Sequence, residues 1–190
     1  MGLNEKKDYT YVQVKLGELV IKKDGNIKKF ESLTGKITKV SFAIEEYEGK
    51  KFEKATFSII DNDADVFMLQ MTTDSGYFRG LCNSLKTSET PTEEISIIPK
   101  HTKSNGGKPK TTCIVEQNKN ALKHAFTINN MGDLPELEIR DYKGEKLYDN
   151  SNQIVYWKNW LLKTFEPVVT NSAPSTVDAA PETTDDLPLN

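Results

Sequence analysis

Three observations predict a mainly β fold, with a short helix among the strands and a longer one after them. Apolar residues alternate along 35–47 and 50–60, on either side of a Glu48-Gly49 turn. The period turns helical at Phe78, Leu81, Cys82 and Leu85, which fall at i, i+3, i+4 and i+7. Beyond Glu166 the chain becomes rich in Pro, Ser, Thr and Ala and has no aromatic ring. Such a segment buries too little surface to offset the entropy of ordering and reads as a disordered linker. The 190 residues, 36% of them apolar, therefore divide into one domain over 1–165 and an acidic tail over 166–190.

Residues 10–22 carry Val12, Val14, Leu16, Leu19 and Ile21, a strand pattern whose alternation breaks at Gly17, where a bulge is expected. Asp24-Gly25 makes a turn. In the long hairpin, setting Tyr47 opposite Lys50, Phe42 opposite Ala55 and Val40 opposite Phe57 sorts Val40, Phe42, Ile44, Ala55, Phe57 and Ile59 to one face. Lys39, Ser41, Ala43, Glu45, Phe52, Lys54, Thr56 and Ser58 take the other, the division a half-buried antiparallel sheet requires. A further strand covers 66–71, and the short helix over 75–87 has Ser75 as its cap. Strands follow at 94–100 and 111–117, joined by a flexible basic loop over 101–110. Residues 136–148 read as a second hairpin turning at Lys143-Gly144. A helix over 151–165 opens at Asn150 or Ser151, stops before Pro167 and carries the stripe Ile154, Trp157, Leu161 and Phe165.

The net charge of −3 hides an asymmetry: the tail holds five acids and no base, leaving 23 acids against 25 bases before it. Residues 99–124 hold six lysines against Glu116 alone. Opposed charge blocks of this kind point to nucleic-acid or anionic-surface partners. No run approaches the ~18 apolar residues of a membrane span, and the polar N-terminal residues lack a signal-peptide core. Two cysteines exclude a disulfide framework and suit a reducing compartment, so the cytoplasm (a host's cytoplasm for a phage protein) is the expected address.

Catalytic and metal chemistry finds little footing. Asp61, Asp63 and Asp65 resemble the start of a calcium loop, but Val66 and Thr72 stand where its glycine and closing glutamate belong, so a polar turn is expected. Cys82, His101, Cys113 and His124 are scattered too evenly for zinc, and both cysteines suit the core. Asn105-Gly106-Gly107-Lys108 lacks P-loop spacing. No enzyme and no cofactor are expected.

Unpaired nucleic acid asks for cations along a groove and flat rings for unstacked bases. The polar face of the hairpin offers Lys39, Lys54 and Phe52, with Tyr47 and Lys50 at the tip and Lys36 and Lys51 nearby. Thr56 and Ser58 add donors for phosphate oxygens. The loop contributes Lys100, Lys103, Lys108 and Lys110. Arginine occurs only at 79 and 140. Lysine lacks the fork that reads guanine edges, so sequence-tolerant phosphate contact is expected. Trp157 and Trp160 suit helix docking, and the roles of Tyr142 and Tyr148 stay open.

Strand, long hairpin, third strand, helix, strand, basic loop, strand is the order of a five-stranded Greek-key barrel of the OB type, here extended by a hairpin and a C-terminal helix. An immunoglobulin-like sandwich is disfavoured by the mid-sequence helix. With its barrel pattern, its Pro/Ser/Thr/Ala spacer and its ending Asp185-Asp186-Leu187-Pro188-Leu189, the chain resembles the single-stranded DNA-binding proteins of bacteria and their phages. Those proteins end in an Asp-Asp-x-Pro-aromatic tip that docks replication and repair partners. Asp185, Asp186 and Pro188 match it, Leu189 stands at the aromatic position, and Asn190 is additional. Residues 118–165 match nothing in the bacterial proteins, which favours a divergent phage version.

The resemblance implies a non-enzymatic protein that coats single-stranded DNA during replication, recombination or repair and recruits partners through Asp185, Asp186, Leu187, Pro188 and Leu189. The tail's charge also suits it to the lysine groove when DNA is absent. The alternative is a β-barrel protein–protein module of a virion or assembly pathway. The sequence leaves DNA against RNA, and homo-oligomerisation, open.

Overall fold

The computed structural model describes residues 9–23, 25–103, 109–143 and 145–166. Among these residues eleven strands and two helices follow one another: β1 (Tyr9–Lys15), β2 (Glu18–Lys23), β3 (Asn26–Phe30), β4 (Leu33–Tyr47), β5 (Lys50–Ile60), β6 (Val66–Thr72), α1 (Gly76–Leu85), β7 (Ile95–Thr102), β8 (Lys110–Gln117), β9 (Asn120–Ala121), β10 (Glu138–Tyr142), β11 (Glu145–Asp149) and α2 (Ser151–Phe165). Nine strands form one mixed sheet in the order β3-β2-β1-β6-β5-β4-β7-β8-β9, and β10 pairs with β11 apart from it. All neighbours run antiparallel except β1 and β6. Among the described residues β3 and β9 do not pair, so the sheet is open. No described helix is long and apolar enough to cross a membrane.

The long hairpin has the expected register, with Tyr47 opposite Lys50, Phe42 opposite Ala55 and Val40 opposite Phe57. Between Ile37 and Lys39 the register slips by one residue. Thr38 is the extra residue of a bulge, which keeps both Ile37 and Val40 pointing inward. Ile44 was expected on the buried face but is 73% exposed, because the hairpin runs out beyond the core that covers Val40 and Ala55.

At Gly17 the expected bulge is instead a complete reversal. Leu16 and Gly17 both have positive φ (50° and 83°) and join β1 to β2. A two-residue hairpin loop with that pair of angles matches the twist of the strands it joins. The break in alternation is thus a change of strand: Val12 and Val14 lie inward on β1, Leu19 and Ile21 on β2. Beyond Gly25, β3 is a further strand that the sequence pattern does not announce.

Helix α1 starts as expected at Ser75, whose Oγ accepts from the Phe78 amide at 3.1 Å. It lies against β8 because two glycines let the backbones meet: a Cβ at Gly76 would fall 2.2 Å from the Thr111 carbonyl oxygen, and one at Gly80 2.3 Å from Thr112 Oγ1. Phe78 packs beside Phe42 and Phe57, each ring centroid 6.4 Å away. Leu81, Leu85, Leu69, Ile95, Ile97, Cys82 and Cys113 complete that part of the core, which matches the expectation for both cysteines.

Residues 118–166 extend this core. Asn83 clamps Phe126 from both sides, its Nδ2 donating to the carbonyl and its Oδ1 accepting from the amide, each at 2.8 Å. Trp157, Leu161 and Phe165 of α2 are buried as the helical stripe requires. Gln153 takes the buried place expected of Ile154, donating from Nε2 to the Pro135 carbonyl at 2.8 Å. Asn150 is the N-cap, as expected, but makes no side-chain cap bond; Asp149 Oδ1 instead accepts from the Ser151 amide at 2.9 Å and from its hydroxyl at 2.5 Å. Lys158 of α2 reaches β5, where it pairs with Glu53 and lies 5.3 Å from the Phe42 ring centre.

A candidate nucleic-acid interface

Residues directly opposite across a sheet share a face, so the registers define cross-strand rows on the side away from the core. One row runs Tyr11, Met68, Ser58, Lys39 across β1, β6, β5 and β4. The next runs Gln13, Gln70, Thr56, Ser41, and a third Thr72, Lys54, Ala43. Phe52 lies opposite Glu45, and Tyr47 opposite Lys50 at the tip. Alternate residues along a strand are spaced about 6.8 Å apart. The face therefore presents rings, amides, hydroxyls and ammonium groups as a regular two-dimensional array.

Five of the expected residues, Lys39, Tyr47, Lys50, Phe52 and Lys54, lie on this face. Tyr47 is 67% exposed, whereas Phe52 is half-buried with the Lys54 ammonium 5.9 Å from its ring centre. Lys36 belongs to the same side at the far end of β4, opposite Ile60. Its Nζ is held by Glu93 at 2.7 Å, and this hydrogen bond is the main cause of its raised pKa. Lys54 is held by Glu45 at 2.5 Å. Lys39, Lys50 and Lys51 have no ion-pair partner among the described residues; of these, Lys39 and Lys50 lie on the outward face.

Lys100, Lys103 and Lys110 are exposed at the end of the β7–β8 pair, while Lys108 lies outside the described residues. Pairing between β4 and β7 covers only 33–35 against 95–97, at the end of β4 remote from Tyr47. The approach of the end of β7 to the hairpin face comes from the other side, through β1 and β2. The Gly17 amide donates to the Tyr77 hydroxyl at 2.8 Å, and a Cβ on Gly17 would lie 2.8 Å from the His101 amide nitrogen. Burial raises the Tyr77 pKa, keeping that hydroxyl protonated. A concavity of about 250 Å³ lies along this rim, lined by Lys15, Lys54, Gln13, Gln70, Thr72, Ser75 and Tyr77 among others. The curled sheet thus brings the base of the basic loop to the same rim as Lys54.

Sequence reasoning missed three residues of this face. Tyr9 and Tyr11 are 50% and 55% exposed, and Lys15 is exposed where β1 ends. Their signal was present: with Val12 and Val14 inward, the residues between them must point out.

The acidic tip, Asp185 to Leu189, lies outside the described residues. Trp157 is core, as expected, and Trp160 packs on it at 6.1 Å between ring centres. At 61–65 the aspartates form a turn: Asp61 Oδ1 accepts from the amides of Asp63 and Asp65 at 3.0 and 2.9 Å. No cluster of metal-ligating side chains occurs among the described residues. No family model, curated protein or solved structure matches the chain.

Proposed function

We propose that the chain binds single-stranded DNA without strong sequence preference, as a divergent phage or bacterial protein of replication, recombination or repair. The observation that carries this reading is the outward face in which Tyr11, Phe52 and Tyr47 stand among Lys39, Lys50, Gln13, Gln70 and Thr56. Stacking rings and phosphate-neutralising lysines in one groove are what sequence-tolerant binding of an unpaired strand requires. The Gly17–His101 contact adds Lys100, Lys103 and Lys110 at its rim.

The topology supports the same reading. The β4-β5-β6 meander, then α1, then β7 antiparallel to β4 and β8 antiparallel to β7, follows the order of an OB-type Greek key. We read the β1-β2-β3 ladder as an addition along the edge of β6 that leaves the barrel open. In OB folds the face of the second and third strands, with the loops joining strands 1–2 and 4–5, holds the oligonucleotide. Those elements correspond here to β5, β6, the Glu48-Gly49 tip and the 103–109 loop. The acidic tip would then recruit replication or recombination proteins.

A gel shift with labelled oligo-dT at two salt concentrations tests the proposal. Retention should weaken with salt, with a log–log slope of about −0.7 per neutralised phosphate. No retention at low salt would sink it and favour a protein–protein module. That second reading has its own observation: Ile139, Leu147, Tyr148, Val155 and Leu162 are exposed apolar residues of β10, β11 and α2.

A further inference from the structure

Strand β3 ends the nine-stranded sheet, and all five of its residues are exposed. Its outer edge has no partner among the described residues, so its free backbone groups can template one more strand. Beside it lies an apolar cleft of about 280 Å³, floored by Val12, Leu19, Ile21, Leu33 and Phe67 and flanked by Phe30, itself 43% exposed. Lys22, Lys23 and Lys28 are exposed with no ion-pair partner among the described residues, and Lys29 pairs with Glu18 at 2.7 Å. The register with β2 puts Lys28 and Phe30 on the cleft side, opposite Ile21 and Leu19. Asp61, at the cleft's lip, is already engaged by two amides.

An extended peptide suited to this site has acidic residues beside the lysines and apolar residues beyond them. The chain carries such a segment in Asp185-Asp186-Leu187-Pro188-Leu189. In a parallel register with Asp185 beside Lys28, Asp186 falls beside Lys29 and Leu187 beside Phe30. Pro188, which lacks an N–H, then falls beyond the end of β3, and Leu189 continues toward Leu33. Fully extended, residues 167–190 span about 80 Å, twice the ~40 Å width expected of a domain this size, so the tip can reach any face. A second copy adding through β3 in antiparallel fashion would set lysine against lysine, which opposes pairing.

We infer that the C-terminal tip docks as an added strand on β3, its leucines over the apolar cleft, and not in the lysine-bearing groove. The hairpin groove offers charge to an acidic peptide, whereas the β3 edge offers charge, an apolar floor and a free backbone together. This docking does not rest on the nucleic-acid reading and would hold if the chain bound no DNA.

A spin label on Asn190→Cys in the full chain tests it; Cys82 and Cys113 are fully buried, so the new thiol is the one that reacts. The amide signals of Ile27, Lys28 and Phe30 should be lost to paramagnetic broadening. Lys28→Glu, exposed and outside every ion pair among the described residues, should restore the signals at these positions. Signal loss seen only between labelled and unlabelled copies would uphold the site, with a neighbour's tip as occupant. Broadening centred on Lys39 and Phe52, or none on the domain, would overturn the inference.

Discussion

Gly17 and His101 touch backbone to backbone, although most of the main sheet separates their strands in sequence. A methyl group on Gly17 would meet the His101 amide nitrogen at 2.8 Å, and the glycine's φ of +83° is one that other residues adopt only with strain. Gly17→Ala should therefore cost more than the conformational term alone. Gly49 is the control, since its φ is +74° and nothing lies within 4 Å of a Cβ there. Denaturant titration should show Gly49→Ala losing about 1 kcal/mol and Gly17→Ala about 2–3 kcal/mol. Equal losses would mean that the contact yields freely.

Ring removal on the outward face should separate binding from stability. Phe52→Ala and Tyr11→Ala should each weaken oligo-dT binding by about 1–3 kcal/mol. Tyr11 is 55% exposed and its loss should leave the melting temperature nearly unchanged. Fluorescence anisotropy at fixed salt measures the first quantity and calorimetry the second. Unchanged affinity in both variants would remove the face from the proposal.

Not every lysine on that face is equally available. Lys39 has no acid partner among the described residues, whereas Lys54 is held by Glu45. Lys39→Ala should lower the salt-dependence slope by about 0.7. Glu45→Gln, which frees Lys54, should tighten binding and steepen the slope. A Glu45→Gln protein that binds no better would show that Lys54 stays away from the phosphates.

Alkaline stability has a predicted direction. Burial, with the hydrogen bond from the Tyr156 hydroxyl to Asp133 at 2.9 Å, pushes the Tyr156 pKa up to about 12 from 10. A phenol whose folded pKa lies above its unfolded value holds its proton more firmly in the folded state. Its contribution is complete below pH 10 and is lost as pH rises through about 12. Melting temperatures across that interval should fall less steeply in Tyr156→Phe, which has no proton to lose. An identical fall in both proteins would exclude Tyr156 as a source.

Much of this molecule was legible because the relevant signals are local. Alternation across Glu48-Gly49 specified the hairpin register from the tip to Lys39 and Ser58, though not the bulge at Thr38, and Ser75 with its helical apolar spacing specified α1. The same parity that turns Val40 and Phe57 inward turns Lys39 and Phe52 outward. The errors had equally local causes. At Gly17 a bulge and a two-residue reversal break alternation alike, and they are told apart only by whether the following residues pair back on β1. Strand β3 escaped notice because its residues are all exposed, leaving no alternation to detect.

The amino-acid order by itself determined both helices, the long hairpin and most other strands, and which side chains of each share a face. The tertiary structure alone decided which faces meet: that β1 joins β6 in parallel, that Gly17 meets His101, that Glu45 and Glu93 neutralise Lys54 and Lys36, and that β3 ends the sheet among the described residues. Side-chain parity follows from the backbone repeat within a few residues. The choice of neighbour across a curled sheet is a collective outcome of packing the whole chain around Phe57, Phe78 and Trp157, which no short window contains.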